Sequence, residues 1–290
     1  MFEWEVDGRH FVIRGAESEA EYHAVEEIQR VAWGFSELDI VPAATLIATR
    51  YAGGMVLGAF EGDKMIGFSY GFPAFEDGRV SIHSHMLAVL PEYRNVQLGF
   101  NLKLAQRRFA LERGLDEITW TYDPLQSLNA HLNFAKLGVI SRRYIVNFYG
   151  EETSSPLHRG FGTDRLWVKW LITSDRVQER IARHKPATRA SDLPPVAETL
   201  LNDYQPALVF GEGGQPRLAD FSSLLSGPRC FIEIPHDIPA LKQRDAAAAS
   251  AWRVATRKAF LAAIEAGFTV QDFLRADGQQ SQRWFYLLSR

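Results

Sequence analysis

Met86-Leu87-Ala88-Val89-Leu90-Pro91-Glu92-Tyr93-Arg94-Asn95-Val96-Gln97-Leu98-Gly99-Phe100 is the stretch from which the fold is read. An apolar run ends at Pro91, and a short loop follows. Leu98, Leu102, Ala105 and Phe109 then recur at helical spacing, with Gly114 where a helix C-cap would stand. Glu117 to Tyr122 is rich in β-formers and closes at Asp123-Pro124. A second helix is expected from Ser127, its N-cap, with Leu128, Leu132 and Ala135 on one face and Gly138 as its stop. The order is strand, loop, helix, strand, helix. A loop that feeds a helix N-terminus presents unpaired N–H groups and the positive end of the helix dipole. With Arg94 beside it, this loop suits a diphosphate.

Working outward, His10 to Arg14 alternates as a first strand, and Glu19 to Trp33 and Ala43 to Tyr51 read as helices. Val56 to Phe60 and Met65 to Phe72 form a hairpin at Gly62-Asp63, and Asp77-Gly78 turns the chain into a strand over Val80 to Val89. Val139 to Tyr149 and Leu166 to Ile172 are further strands. The class is therefore α/β, a mixed sheet with helices on its faces. Beyond residue 172 a polar helix is expected over Ser174 to His184, then a proline-containing linker from Lys185 to Pro195 and a turn at Gly211 to Gly214. Cys230 to Ile234, a helix from Asp245 to Ala266, and strands over Phe268 to Phe273 and Trp284 to Leu288 about Asp277-Gly278 make a small β-α-β-β unit. Ala249, Trp252, Thr256, Ala259 and Ala263 are the buried stripe of its helix. The expected division is 1–172, 173–227 and 228–290.

Leu87 to Arg94, with Gly99 opening a helix, resembles the acyl-CoA-binding core of the GNAT N-acyltransferases, whose loop reads Arg/Gln-x-x-Gly-x-Gly/Ala. Arg94 and Gly99 match. The middle glycine is Gln97 here, and Asn95 stands where a further glycine is common. Asn129-Ala130 and Leu137-Gly138 fit the family's Asn-x-x-Ala…Gly helix. The resemblance covers roughly residues 10–170, in an enlarged branch with a C-terminal extension. It implies a mostly antiparallel sheet whose central strands splay apart, with pantetheine in the gap against Leu87, Ala88 and Val89. It places diphosphate on Arg94, Asn95, Val96, Gln97, Leu98, Gly99 and Phe100, with Asn129 reaching the cofactor from its helix. Acetyl-CoA or succinyl-CoA would be the co-substrate, with no metal.

N-acyl transfer needs a base for the amine, a polarised thioester carbonyl and a route for the leaving thiolate. His83 and His85 lie two apart on the strand entering the site and share a face. They are candidate bases, or a hydrogen-bonded pair on a half-exposed strand. Asp123 could hold the acceptor's ammonium, take its proton, or form an Asx turn before Pro124. The family's thiolate-protonating tyrosine falls on Phe134, which has no proton to give; Asn133 is the polar neighbour. Tyr122 reads as a sheet residue and Trp120 as core. Arg142 or Arg143 could bind a carboxylate, against the simpler reading of a solvated strand edge.

The 290 residues carry a net charge of −3, which gives no electrostatic case for nucleic acid. Cys230 is the single cysteine, as suits a reducing cytoplasm. Met1 to Glu5 has no apolar signal core, and no run approaches a membrane span. The histidines lack a third ligand at metal spacing. The expectation is an acyl-CoA-dependent N-acyltransferase moving an acetyl or succinyl group to a small amine, such as an amino acid, without nucleic acid or membrane partners and with a homodimer left open. The competing expectation is a GNAT-fold binding or regulatory protein that has lost catalysis, toward which Asn95, Gln97 and Phe134 depart.

Overall fold

The computed structural model describes residues 1–76, 78–94, 96–151, 160–183, 198–221, 227–277 and 282–290. Asn95, Asp77, His184, the 185–195 linker and Gly278 lie outside these. The chain starts with a hairpin rather than a single strand. β1 (Phe2–Val6) pairs with β2 (Arg9–Gly15) through Asp7 and Gly8, both at positive φ. Trp4 stacks on Phe11 with ring centroids 5.1 Å apart, which buries a β1 that the sequence reading left out. α1 (Glu19–Trp33) is capped by Ser18 and stopped by Gly34, and α2 (Ala43–Tyr51) follows Pro42. β3 (Met55–Glu61), β4 (Lys64–Glu76) and β5 (Arg79–Val89) form an antiparallel meander.

α3 (Leu98–Leu111) and β6 (Glu117–Tyr122) come next. α3 ends at Leu111, and Gly114, at φ +69°, closes the turn after it rather than capping it. α4 (Ser127–Ala130) runs directly into a π-helix (His131–Lys136). Ser127 is the first helical residue, not the cap; its hydroxyl donates to the carbonyl of His236 instead. β7 (Ile140–Ile145) stops short of the expected Tyr149 because Asn147, at φ +48°, turns the chain. β8 (Arg165–Leu171) and α5 (Asp175–Arg183) follow. The tail holds the expected β-α-β-β unit in β11 (Arg229–Ile234), α7 (Ala246–Glu265), β12 (Thr269–Asp277) and β13 (Gln282–Ser289). It also holds β9 (Gln205–Phe210), β10 (Pro216–Leu218) and the short α6 (Ile238–Arg244), which the sequence reading did not assign.

The strands make one sheet in the order β1-β2-β3-β4-β5-β6-β8-β7-β12-β13-β11-β9-β10. It is mostly antiparallel. β5 and β6 run parallel and pair only at Ile82–Ile118 and His83–Thr119. Past those residues β5 continues to Val89 and β6 to Tyr122, and the two strands diverge. α1 and α2 cover one face, where Trp33 meets Phe68 and the Thr49 hydroxyl meets Tyr70. α3 and the π-helix cover the other, where Lys103 meets Ser84 and Phe134 meets Tyr122.

Candidate active site

The parting of β5 from β6 places the site. Just past the last paired residues, β5 carries a bulge: Tyr70 faces Met86 and Gly71 faces Ser84, so His85 is the extra residue. A Cβ on Gly71 would lie 2.7 Å from the carbonyl oxygen of His83, so the close strand approach at the bulge requires glycine. His85, Met86, Leu87 and Val89 are all partly exposed along this edge, whereas Ala88 is buried.

His83 and His85 do share a face, the one under α1 and α2, with ring centroids 6.4 Å apart. Phe72 stands 5.5 Å from each, Tyr70 packs edge-on to His85, and Trp167 of β8 stacks on His83 at 4.8 Å. His83 is buried, with Nδ1 2.9 Å from the Thr119 hydroxyl. Burial above all, helped by His85 and Lys103, pushes its pKa down to about 4. Burial also lowers that of His85, which has no hydrogen-bond partner among the described residues. Both rings are therefore neutral at pH 7, the state a base requires. Arg143 lies 5.2 Å over the Trp167 ring, at the rim of this aromatic wall. Arg142 is turned away, donating to Thr269 of β12.

On the opposite face, Lys103 of α3 reaches the split. Its Nζ is 3.0 Å from Ser84 Oγ, 3.2 Å from Gln106 Oε1 and 3.5 Å from the Trp120 ring centroid. Ser84 and Trp120 are the first residues on β5 and β6 beyond the last pair. Lys103 is buried without a carboxylate partner among the described residues, and burial lowers its pKa well below the usual lysine value. Sequence reading missed it, because it falls off the apolar stripe of α3.

At the mouth, Gln97 is the residue before α3 and holds φ +57°, ψ +20°, a left-handed conformation that glycine adopts without strain. Gln97, Leu98, Gly99 and Phe100 thus lead into the helix N-terminus, with Val96 buried and Arg94 exposed beside them. Gly99 is partly exposed, and a Cβ there would meet only Leu87 Cδ2, at 3.9 Å.

Asp123 is placed differently from the expectation that it meets an acceptor amine. Both oxygens receive Arg253 of α7, each at 2.7 Å, and Oδ1 also accepts from the Leu125 N–H. Burial raises the Asp123 pKa, but the guanidinium of Arg253 outweighs it and the net shift is down. The local Asx turn is real, but its main partner comes from 130 residues away, where no short-range signal exists. Pro124 and Ser127 are held from the same side, by the Tyr286 hydroxyl and the His236 carbonyl. Tyr286 Oη also lies 2.9 Å from Tyr122 Oη. Asn133 and Phe134 are buried on the π-helix, with Phe134 packed against Tyr122 and Tyr286. Asn129 is exposed on α4. No group of three metal-ligating side chains occurs among the described residues.

The arrangement offers a cleft between parted strands, a helix N-terminus at its mouth, neutral histidines on one face and a buried lysine on the other. The Acetyltransferase (GNAT) family model matches residues 22–139. No curated protein matches the chain. Among solved structures, the Escherichia coli ribosomal-protein-S18-alanine N-acetyltransferase is 17% identical, with a TM-score of 0.45 over 57% of this chain and 95% of that one. Arabidopsis thaliana Naa50, in complex with a bisubstrate analogue, is 16% identical, with a TM-score of 0.43 over 55% and 97%. A GNAT family acetyltransferase from Elizabethkingia anophelis with acetyl-CoA bound is 16% identical, with a TM-score of 0.42 over 56% and 97%. The stretch that the family model matches, residues 22–139, holds the parted strands, the bulge and the loop ahead of α3.

Proposed function

We propose that the protein is an acyl-CoA-dependent N-acyltransferase that moves an acetyl or succinyl group to a small amine. The observation that carries this reading is the parting of β5 from β6 directly ahead of a helix N-terminus, with two neutral histidines beside the bulge. Acyl-CoA would enter between the strands, its pantetheine along Leu87, Ala88 and Val89 and its diphosphate over Arg94 and Val96 to Phe100. Asn95 belongs to that loop by sequence. The amine would approach from the α1 and α2 face, where His85 takes its proton and His83, fixed by Thr119, sets the pocket. An acceptor carrying a carboxylate, such as an amino acid, could place it on Arg143, which makes amino acids the first acceptors to screen. Asn129 is exposed on α4 and Asn133 is buried on the π-helix; Asp123 holds the β6–α4 loop. No part of this chemistry draws on a metal, and a cytoplasmic setting would supply the acyl-CoA.

A second reading, a GNAT-fold binding or regulatory protein, is favoured by Gln97 in a glycine conformation and by Phe134 without a hydroxyl. Calorimetry with CoA, acetyl-CoA and succinyl-CoA, followed by thiol release with an amine panel, separates the two. Micromolar binding with turnover of one amine supports the enzyme. Binding without turnover across the panel, or absence of binding by all three with the protein folded, supports the second reading, with Gln97 as the first suspect in the latter case.

A further inference from the structure

N-acyl transfer by thioester cleavage produces one new anion, the CoA thiolate, and the described residues near the parted strands differ in whether they can give it a proton. On the α3 face Phe134 has no hydroxyl. The Tyr286 hydroxyl donates to the Pro124 carbonyl oxygen at 2.6 Å, and Tyr122 Oη, 2.9 Å away, can give its proton to Tyr286. The side-chain amide of Asn133 does not release a proton near neutral pH. Lys103 differs from all of these. Among the described residues its N–H donors meet neutral groups, Ser84 Oγ, Gln106 Oε1 and the Trp120 ring, at the point where β5 and β6 separate. A buried cation without a counter-charge is costly, and that cost falls when an anion arrives beside it.

We infer that Lys103 is a catalytic residue on the leaving-group side, donating a proton from Nζ to the CoA sulfur as the carbon–sulfur bond breaks. This rests on the acyl-CoA reading above. The amine nitrogen bonds to the carbonyl carbon and gives its proton to His85. The electron pair of the C–S bond passes to sulfur, which takes the proton of Lys103. After CoA leaves as the thiol, neutral Lys103 regains a proton from water and His85 returns its own. Base and acid thus stand on opposite faces of the sheet, on the two sides of one cleft. Burial lowers the lysine pKa, which weakens its hold on the proton it gives up. Its titratable neighbour is His83 across β5; Gln106 from α3 and Trp120 from β6 are uncharged.

The test is the pH dependence of kcat/KM for acetyl-CoA in wild type and in Lys103→Met. Wild type is expected to show an alkaline limb, falling as Lys103 loses its proton at a pH below the usual lysine value, and Lys103→Met to lose this limb while still binding desulfo-CoA. Turnover of acetyl-CoA in the variant should fall about 10²- to 10⁴-fold with KM for acetyl-CoA little changed. Wild type that turns over acetyl-CoA with no alkaline limb overturns the inference and leaves the acyl-CoA reading standing. Turnover in Lys103→Met within twofold of wild type overturns it too. Wild type that binds no CoA overturns both. Should Lys103→Met fail to fold, the wild-type pH profile decides alone.

Discussion

Gln97 and His83 each carry a measurable cost in a single side chain. Gln97 occupies a left-handed conformation that costs a non-glycine residue about 1 kcal/mol, set against the greater unfolded-state freedom that glycine would bring. Gln97→Gly should therefore shift stability by less than about 1 kcal/mol by urea denaturation, and it should tighten CoA binding by removing a side chain from backbone that must approach a diphosphate. Unchanged CoA affinity would mean that the diphosphate lies elsewhere. The histidines give a pH dependence of definite sign. A base must be unprotonated, and burial lowers the His85 pKa, so kcat/KM should rise with pH through a value below the usual 6.5. His85→Gln should lower kcat/KM by about 10²- to 10⁴-fold and abolish that limb. His83 bears on stability. Its pKa falls from 6.5 unfolded to about 4 folded, so the unfolded chain binds the extra proton. Its contribution is complete above 6.5 and is lost as pH falls toward 4, on the order of 3 kcal/mol. His83→Asn should flatten that part of the stability profile, read from unfolding midpoints between pH 4 and 7.

At the scale of elements, the β6–α4 loop is fixed by partners from distant sequence. Arg253 of α7 grips Asp123 bidentately, with both side chains 4% exposed, and donates through Nε to the Phe161 carbonyl. Removing one member of such a pair strands a buried charge, so Arg253→Met should destabilise by about 3–5 kcal/mol. Adding Asp123→Leu should restore much of that loss, because the pair as a whole returns little beyond the cost of desolvating it. A double-mutant cycle by urea denaturation checks this; an additive double mutant would mean the two groups do not act as one unit. The same geometry explains what could be read from sequence. Helix and strand periods, the Gly62-Asp63 turn and the loop ahead of α3 are local signals, and α1, α2, β3 to β6 and α3 match them in position. The pair of histidines on one face follows from strand alternation, even with a bulge at His85. Trp167 on His83 and Arg253 on Asp123 are contacts between elements far apart in the chain, and Lys103 over Trp120 joins a helix to the strand after it; all three are set by packing of the folded sheet. No helix or strand period reports any of them.

The whole molecule has a thin seam and a thick core. β7 and β12, which join the N-terminal part of the sheet to the C-terminal strands, pair only at Ser141–Val270. One backbone pair cannot hold two sheets together, so side chains do it. Tyr122, Phe134, Trp252, Phe260 and Tyr286 belong to one continuous buried cluster drawn from both sides. Phe260 stacks on Tyr144 at 5.5 Å, and Tyr286 meets Phe134 at 5.7 Å. Charges cross as well: Arg257 grips Asp164 through 2.8 and 2.9 Å contacts, and Arg180 of α5 pairs with Asp272 of β12. A chain ending at residue 227 would lose α7, β12 and β13, uncover Tyr122 and Phe134, and leave Asp123 and Asp164 buried or half-buried without their arginines. Burying an unpaired carboxylate costs several kcal/mol, and each lost aromatic side chain adds about 1.5–3 kcal/mol. Together these exceed the 5–15 kcal/mol by which a typical domain is stable. The shortened chain is therefore expected not to fold, and the full chain to unfold in one transition, with tryptophan fluorescence and far-ultraviolet circular dichroism coinciding. Two separated transitions, or a soluble 1–227 fragment that still binds CoA, would show instead that the acyl-CoA cleft stands without the C-terminal strands and that Arg253 and Tyr286 are dispensable to it.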